Sequence, residues 1–264
     1  RGVAGGGWAL VIYYGVGALI LGAYCASGRN PARLVASRLH LNLMRSILSV
    51  GALATLNPLL TNALVALTAA LVGAYAGTAA VAGYGIAVRL EYLLIPIAFG
   101  LGAPMVAMVA SNIGAGQPER AMRIALTGGA MAFVLAEAIG LAAACYPEAW
   151  LRLFGAEDHM LQAGSAYLRT VGPVYGFFAM GFSMYFASQG AGRLKWPLLA
   201  GCLRLLVAVG AGGVVLHLTG SLTLFFLTAA VAMCLYGLII LSAVASGSWF
   251  DRGHLRKPQP LARP

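Results

Sequence analysis

Apolar residues fall into seven runs, separated by short polar breaks, and each run is long enough to be read as a membrane-crossing helix. Span a covers residues 7–26, GWALVIYYGVGALILGAYCA. Span b covers 46–73 and contains Asn57-Pro58 and Asn62. Span c covers 80–113, span d 121–145, span e 161–189, span f 196–217 and span g 221–246. Several exceed the roughly 20 residues that cross a bilayer, so those helices must tilt, kink or protrude. Span c stands out: Arg89 and Glu91 sit inside it with Pro96 and Pro104, and the turn Gly114-Ala115-Gly116-Gln117-Pro118-Glu119-Arg120 follows. An intramembrane charge costs about 2.5–3.5 kcal/mol on insertion scales, so it needs a partner or a function. The prolines free backbone carbonyls that neighbouring helices or cavity water must satisfy.

Charge alternates with the loops. Arg29, Arg33, Arg38 and Arg45 lie between a and b, Arg120 and Arg123 between c and d, and Arg193 and Lys195 between e and f. Arg252, Arg256, Lys257 and Arg263 lie in the tail. The other side carries Arg1, Arg152 and the acids Glu148, Glu157 and Asp158. The positive-inside rule makes the first group cytoplasmic, with the C-terminus inside.

Composition agrees with this picture. The 264 residues are 61% hydrophobic and 9% charged, and mean hydropathy is +0.86, values that exclude an ordinary soluble domain. The net charge of +10 lies in loops between spans, so it reads as topology-setting charge; no nucleic-acid partner is expected. Dense Gly and Ala read as close helix packing. Cys25, Cys145, Cys202 and Cys234 fall in different spans without CxxC spacing, and the four histidines sit at span ends or in loops. Neither a metal site nor a cofactor is expected, and no nucleophile–base set can be assembled at one depth, so the chain does not read as an enzyme.

The fold class expected is an all-α polytopic transmembrane bundle. The first residue is Arg and a span begins almost at once, so the chain reads as a piece of a longer one. The simplest division is one leftover helix (1–26), a basic cytoplasmic linker (27–45), a six-helix unit (46–246) and a cytoplasmic tail (247–264). Six-helix units are the common half of two-repeat secondary transporters.

Specific motifs sharpen this. Gly77-Thr78-Ala79-Ala80, Ala87-Val88-Arg89-Leu90-Glu91, Pro96, Gly100, Asn112-x-Gly114-Ala115-Gly116 and Glu119-Arg120-Ala121 occur in that order. Trp150-Leu151-Arg152-Leu153-Phe154-Gly155 and Gln189-Gly190-Ala191-Gly192-Arg193 follow. Together they resemble the multidrug and toxic compound extrusion (MATE) family over roughly residues 45–246. The resemblance implies that spans b to g are helices seven to twelve of a twelve-helix antiporter and span a helix six. It implies export of cationic or amphipathic organic compounds across the inner membrane, driven by protons or sodium. The cavity would open alternately to each side between this lobe and an N-terminal lobe outside the chain.

Two carboxylates are candidates for cation coupling. Glu91 can exchange a proton for a cationic substrate within a low-dielectric cavity; its alternative role is structural, paired or at the outer interface. Counted from Gly114, it lies about 34 Å from the inner end, near the outer boundary of an upright helix. Glu137 lies deeper, about 25 Å from the inner end of span d, and Arg169 sits at matching depth in span e. A Glu137–Arg169 ion pair is therefore expected, either holding the lobe together or relaying protons. Family members that carry acids in the first and fourth helices of this lobe use them for coupling. Here Asn62 stands at or near the first position, and span e has no acid.

Asn57, Asn62, Tyr84, Tyr175, Phe178, Met184 and Gln189 are candidates to line the cavity, through neutral oxygens, aromatic faces that attract organic cations, and adaptable thioethers. Packing against lipid or neighbouring helices is the alternative for each. Two further functions are weighed. A lipid-linked oligosaccharide flippase of the same superfamily would need several cavity arginines, whereas only Arg89, Arg169 and Arg204 are intramembrane. A non-transporting scaffold is disfavoured by kinked spans with buried acids.

Overall fold

The computed structural model describes residues 2–28 and 40–247. The expected linker and tail charges beyond Gly28 and Gly247 lie outside the described residues. Among the described residues every regular element is helical. The chain divides into two compact units, Arg1–Leu48 and Ser49–Pro264. The first contains α1 (Gly2–Ala26), one apolar helix whose side chains, Trp8, Tyr13 and Leu19 among them, are largely exposed.

The second unit holds the helix bundle. The expected spans b and c form one hydrogen-bonded run, α2 (Leu41–Gly114), broken at Gly77. Gly77 has φ 79° and ψ −177°, a conformation open to glycine at little cost, and it turns the chain between a first arm (41–76) and a second arm (78–114). The remaining elements are α3 (Pro118–Cys145), the short α4 (Pro147–Leu153), α5 (Asp158–Val171), α6 (Tyr175–Gly190), α7 (Lys195–Leu205), α8 (Gly212–Thr219) and α9 (Leu222–Ala245).

Two of the expected spans are interrupted along their length. Pro173 lacks an N–H, and span e becomes α5, a 3-10 turn Gly172–Val174, and α6. Span f becomes α7 and α8 joined by a π-helical segment, Leu206–Ala211, a widened turn often found where a helix must adjust. Five stretches among the described residues, Ala4–Ala26, Ala54–Gly114, Pro118–Cys145, Lys195–Thr219 and Leu222–Ala245, are long and apolar enough to cross a membrane; the run through Gly77 joins two expected spans, and the break at Pro173 leaves α5 and α6 each too short.

The turn after α2 follows from its glycine. Gly116 is left-handed (φ 71°), its N–H bonds to the Ile113 carbonyl, and Gln117 N–H bonds to the Asn112 carbonyl, which is a Schellman cap. The turn after α6 repeats the design with Gly192 (φ 67°) and an Arg193 N–H to Ser188 carbonyl bond.

Helices α6 and α9 occupy the centre; most of α6, including Tyr175, Phe178 and Met184, is buried. Glycines allow the approach. At Gly140 an added Cβ would lie 2.1 Å from the Gly172 carbonyl oxygen, and at Gly237 2.4 Å from the Phe177 carbonyl oxygen. Leu93, Phe99, Met131, Leu135, Leu206 and Val231 remain exposed, as a lipid-facing surface requires. Trp150 Nε1 donates to the Ile86 carbonyl at 3.1 Å and fastens α4 to α2.

Candidate functional site: a buried ion pair walled by aromatic rings

Helical periodicity orients the second arm of α2. Tyr84, Ala87, Val88, Glu91, Leu94 and Ala98 recur at three- and four-residue spacing and all are buried. Glu91 is therefore the one charge on a core-facing stripe. Arg89, two residues earlier, emerges on the opposite face, where it is exposed and lies 5.2 Å from the Phe154 ring centroid.

Arg204 reaches the same interior from α7. Pro197, Ala200, Gly201, Arg204 and Ala208 form that segment's buried face, so small residues let the backbone approach while Arg204 extends inward. Its Nη2 lies 3.7 Å from Glu91 Oε2, and both side chains are buried. The separation is that of a contact ion pair beyond hydrogen-bonding range. Tyr167 Oη, from α5, donates to Glu91 Oε1. The guanidinium also lies over Phe178 at 4.8 Å and Tyr236 at 5.7 Å from their ring centroids.

Aromatic rings enclose the pair. Tyr84 stacks on Phe226 and meets Tyr167 edge-on, with centroids 6.0 and 5.1 Å apart. Tyr175 is fully buried beside Tyr167, and the buried Ser183 hydroxyl has no hydrogen-bond partner among the described residues. Asn57 is buried beside Tyr236, Gly201 and Arg204, where the residual void is about 10 Å³, room for one water at most. Carboxylate, guanidinium and several hydroxyls thus share a closed, low-dielectric compartment. Such an ion pair is sensitive to gain of a proton, because neutralising one partner leaves the other charge buried.

Glu91 stands about 20 Å along the helix from the Gly77 turn, and Arg204 about 14 Å along the segment that begins at Lys195. Of the alternatives for Glu91, the structure brings it into a pair with Arg204.

The expected Glu137–Arg169 ion pair is not present among the described residues. Arg169 is exposed, because α5 turns Leu168 and Val171 toward the core. Glu137 Oε2 instead accepts the Gly176 N–H at 2.8 Å. That N–H belongs to the first turn of α6, whose leading donors lack intrahelical partners. Glu137 thus caps α6 from a neighbouring helix, with the favourable sense of the helix dipole.

Of the cavity candidates, Tyr84, Tyr175, Phe178 and Met184 fill the lobe interior in this conformation and face no open cavity. Asn62 is exposed, and its Nδ2 donates to the Pro58 carbonyl at 2.8 Å. Gln189 is half-buried in the last turn of α6. Arg204 as the partner of Glu91, and Tyr167 and Tyr236 around it, were not singled out by the sequence. The stripe of small residues on either side of Arg204 was the signal for the first. No cluster of three His, Cys, Asp or Glu side chains is found among the described residues.

Comparisons with known proteins converge. The MatE family model matches residues 54–212. A probable multidrug resistance protein NorM of Thermotoga maritima is 24% identical over 124 residues, 47% of this chain and 27% of that protein. A FAD transporter of Shewanella oneidensis is 28% identical over 109 residues, 41% of this chain and 24% of that protein. The fold matches a solved chain described as a MATE in complex with MaL6, with TM-score 0.81 and 18% identity, over 94% of this chain and 58% of that one. The matched segments span about a quarter of those curated relatives. With more than half of its length matched by the family model, this multi-pass all-α chain belongs to the MatE family of membrane transporters.

Proposed function

We propose that the chain is one lobe of a secondary active antiporter that exports cationic or amphipathic organic compounds in exchange for protons or sodium. Residues 46–246 form the C-terminal lobe, 1–26 the last helix of the other lobe, 27–45 the linker and 247–264 the tail. The linker and tail face the cytoplasm of a cell whose inner membrane holds the protein. The name of the Thermotoga relative supports a multidrug substrate range.

The observation that carries the coupling role is the Glu91–Arg204 pair with its Tyr167 donor. When Glu91 takes up a proton, Arg204 loses its counter-charge and keeps only the faces of Phe178 and Tyr236. The π-helical segment that follows Arg204 then gives α7 room to turn. Once that movement opens the compartment, an aromatic organic cation competes for the same faces and the same carboxylate, so substrate and proton exclude one another. Glu137 is the weaker coupling candidate, because its carboxylate is engaged in capping α6.

The test is dye efflux by the full-length transporter in proteoliposomes under an imposed pH gradient. Glu91→Gln should abolish gradient-driven efflux. Undiminished efflux by a well-folded Glu91→Gln protein would remove coupling from this site. The 264-residue chain alone should not transport, since half of the cavity is contributed by the other lobe.

The Shewanella relative supports a second reading, an anionic dinucleotide substrate. The same vesicles loaded with FAD discriminate between the two. The flippase reading loses support, because Arg204 is committed to Glu91 while Arg89 and Arg169 are exposed on other faces.

A further inference from the structure

A groove of about 900 Å³ runs along the hairpin of the second arm of α2 and α3, away from the ion-pair compartment. Leu101, Met105 and Met108 form one wall, and Ile124, Thr127 and Met131 the other. Met108 and Met131 are 48% and 50% exposed, so the groove opens sideways and not into the bundle. At the end near the α2–α3 turn it is rimmed by Gln117, Glu119, Arg120 and Arg123, a net positive set.

Its length matches one leaflet. From Arg120 to Met131 the helix rises about 16 Å. Half of a bilayer's hydrocarbon core is about 15 Å. Cations therefore stand at headgroup level, and the apolar walls end near the bilayer midplane. Thioethers suit a mobile hydrocarbon chain, since they adapt to irregular apolar shapes. The charge sign disfavours an organic cation and fits a phosphodiester.

We propose that this groove binds an anionic phospholipid of the leaflet at the α2–α3 turn, the inner leaflet in the orientation above. The phosphate sits between Arg120 and Arg123, and an acyl chain lies along Met105, Met108 and Met131. The site is independent of the transported substrate.

The test uses the full-length protein extracted from vesicles of equal phosphatidylglycerol and phosphatidylcholine, with retained lipid counted by native mass spectrometry. Phosphatidylglycerol should be retained preferentially. Each arginine near the surface contributes roughly fivefold, so Arg120→Gln/Arg123→Gln should lower retention about 25-fold. Arg152→Gln, on the opposite side, should leave it unchanged. A photo-reactive residue replacing Met131 should capture phosphatidylglycerol acyl chains, a readout that needs no arginine variant to fold. Equal retention of both lipids, or unchanged retention in the double variant, overturns the proposal. So does displacement of the lipid by soluble glycerol phosphate, which marks a free-phosphate site. Capture of the protein's own other lobe at position 131, in place of lipid, also overturns it.

Discussion

Arg204 Nη2 and Glu91 Oε2, more than a hundred positions apart in sequence, stand 3.7 Å apart in a compartment that excludes bulk water. Neither charge has an equivalent partner nearby, and removing one leaves the other buried and uncompensated. Such truncations cost about 3–5 kcal/mol. Glu91→Gln and Arg204→Gln should each lower the thermal unfolding midpoint of the purified protein, and the double variant should lose clearly less than their sum. Additive losses would mean that the two charges do not stabilise each other.

Glu137 behaves differently because its partner is a backbone N–H. Glu137→Gln keeps a carbonyl oxygen to accept from Gly176 and should cost about 1 kcal/mol or less, whereas Glu137→Leu leaves the donor unmet at about 1–3 kcal/mol. With no contact between Glu137 and Arg169, Glu137→Gln and Arg169→Gln should be additive within about 0.5 kcal/mol in unfolding measurements. A larger coupling would restore the expected ion pair.

These two carboxylates show what one sequence makes legible. Local relations are readable: the Gly116 turn and the different faces of Arg89 and Glu91 depend on spacing within one helix, whereas span e reads as continuous and its break at Pro173 emerges only in the structure. Relations between helices were readable only where composition constrains rotation. Depth matched Glu137 to Arg169, but depth says nothing about rotation, and α5 turns Arg169 outward to bury Leu168 and Val171. The partner of Glu91 was indicated only indirectly, by the small residues at Ala200, Gly201 and Ala208 that mark a buried face around Arg204.

Two glycines on the second arm of α2 separate packing from propensity. At Gly83 a Cβ would sit 2.1 Å from the Met160 carbonyl oxygen, and backbone cannot give way as a flexible side chain can. At Gly85 an added Cβ meets nothing within 4 Å. Gly83→Ala should cost about 1–3 kcal/mol or prevent folding, as overpacking does. Gly85→Ala should leave the unfolding midpoint unchanged or slightly raised, since Ala favours the helix. Comparable losses at both positions would argue against close contact between α2 and α5.

Pro58 supplies the last test. Lacking an N–H, it leaves the Ala54 carbonyl without its intrahelical donor, four residues back. Tyr185 Oη, from α6, donates to that carbonyl at 3.3 Å. A side chain on a neighbouring helix thus satisfies the carbonyl that Pro58 frees, as the membrane interior requires. Tyr185→Phe should cost about 1 kcal/mol by removing this bond. In a Pro58→Ala background the restored N–H takes over the carbonyl, so the same Tyr185→Phe change should cost markedly less. Thermal unfolding of the four proteins closes the cycle. An equal cost of Tyr185→Phe in both backgrounds would mean that the hydroxyl contributes through packing around Phe182 and Phe186 and not through the carbonyl that Pro58 frees.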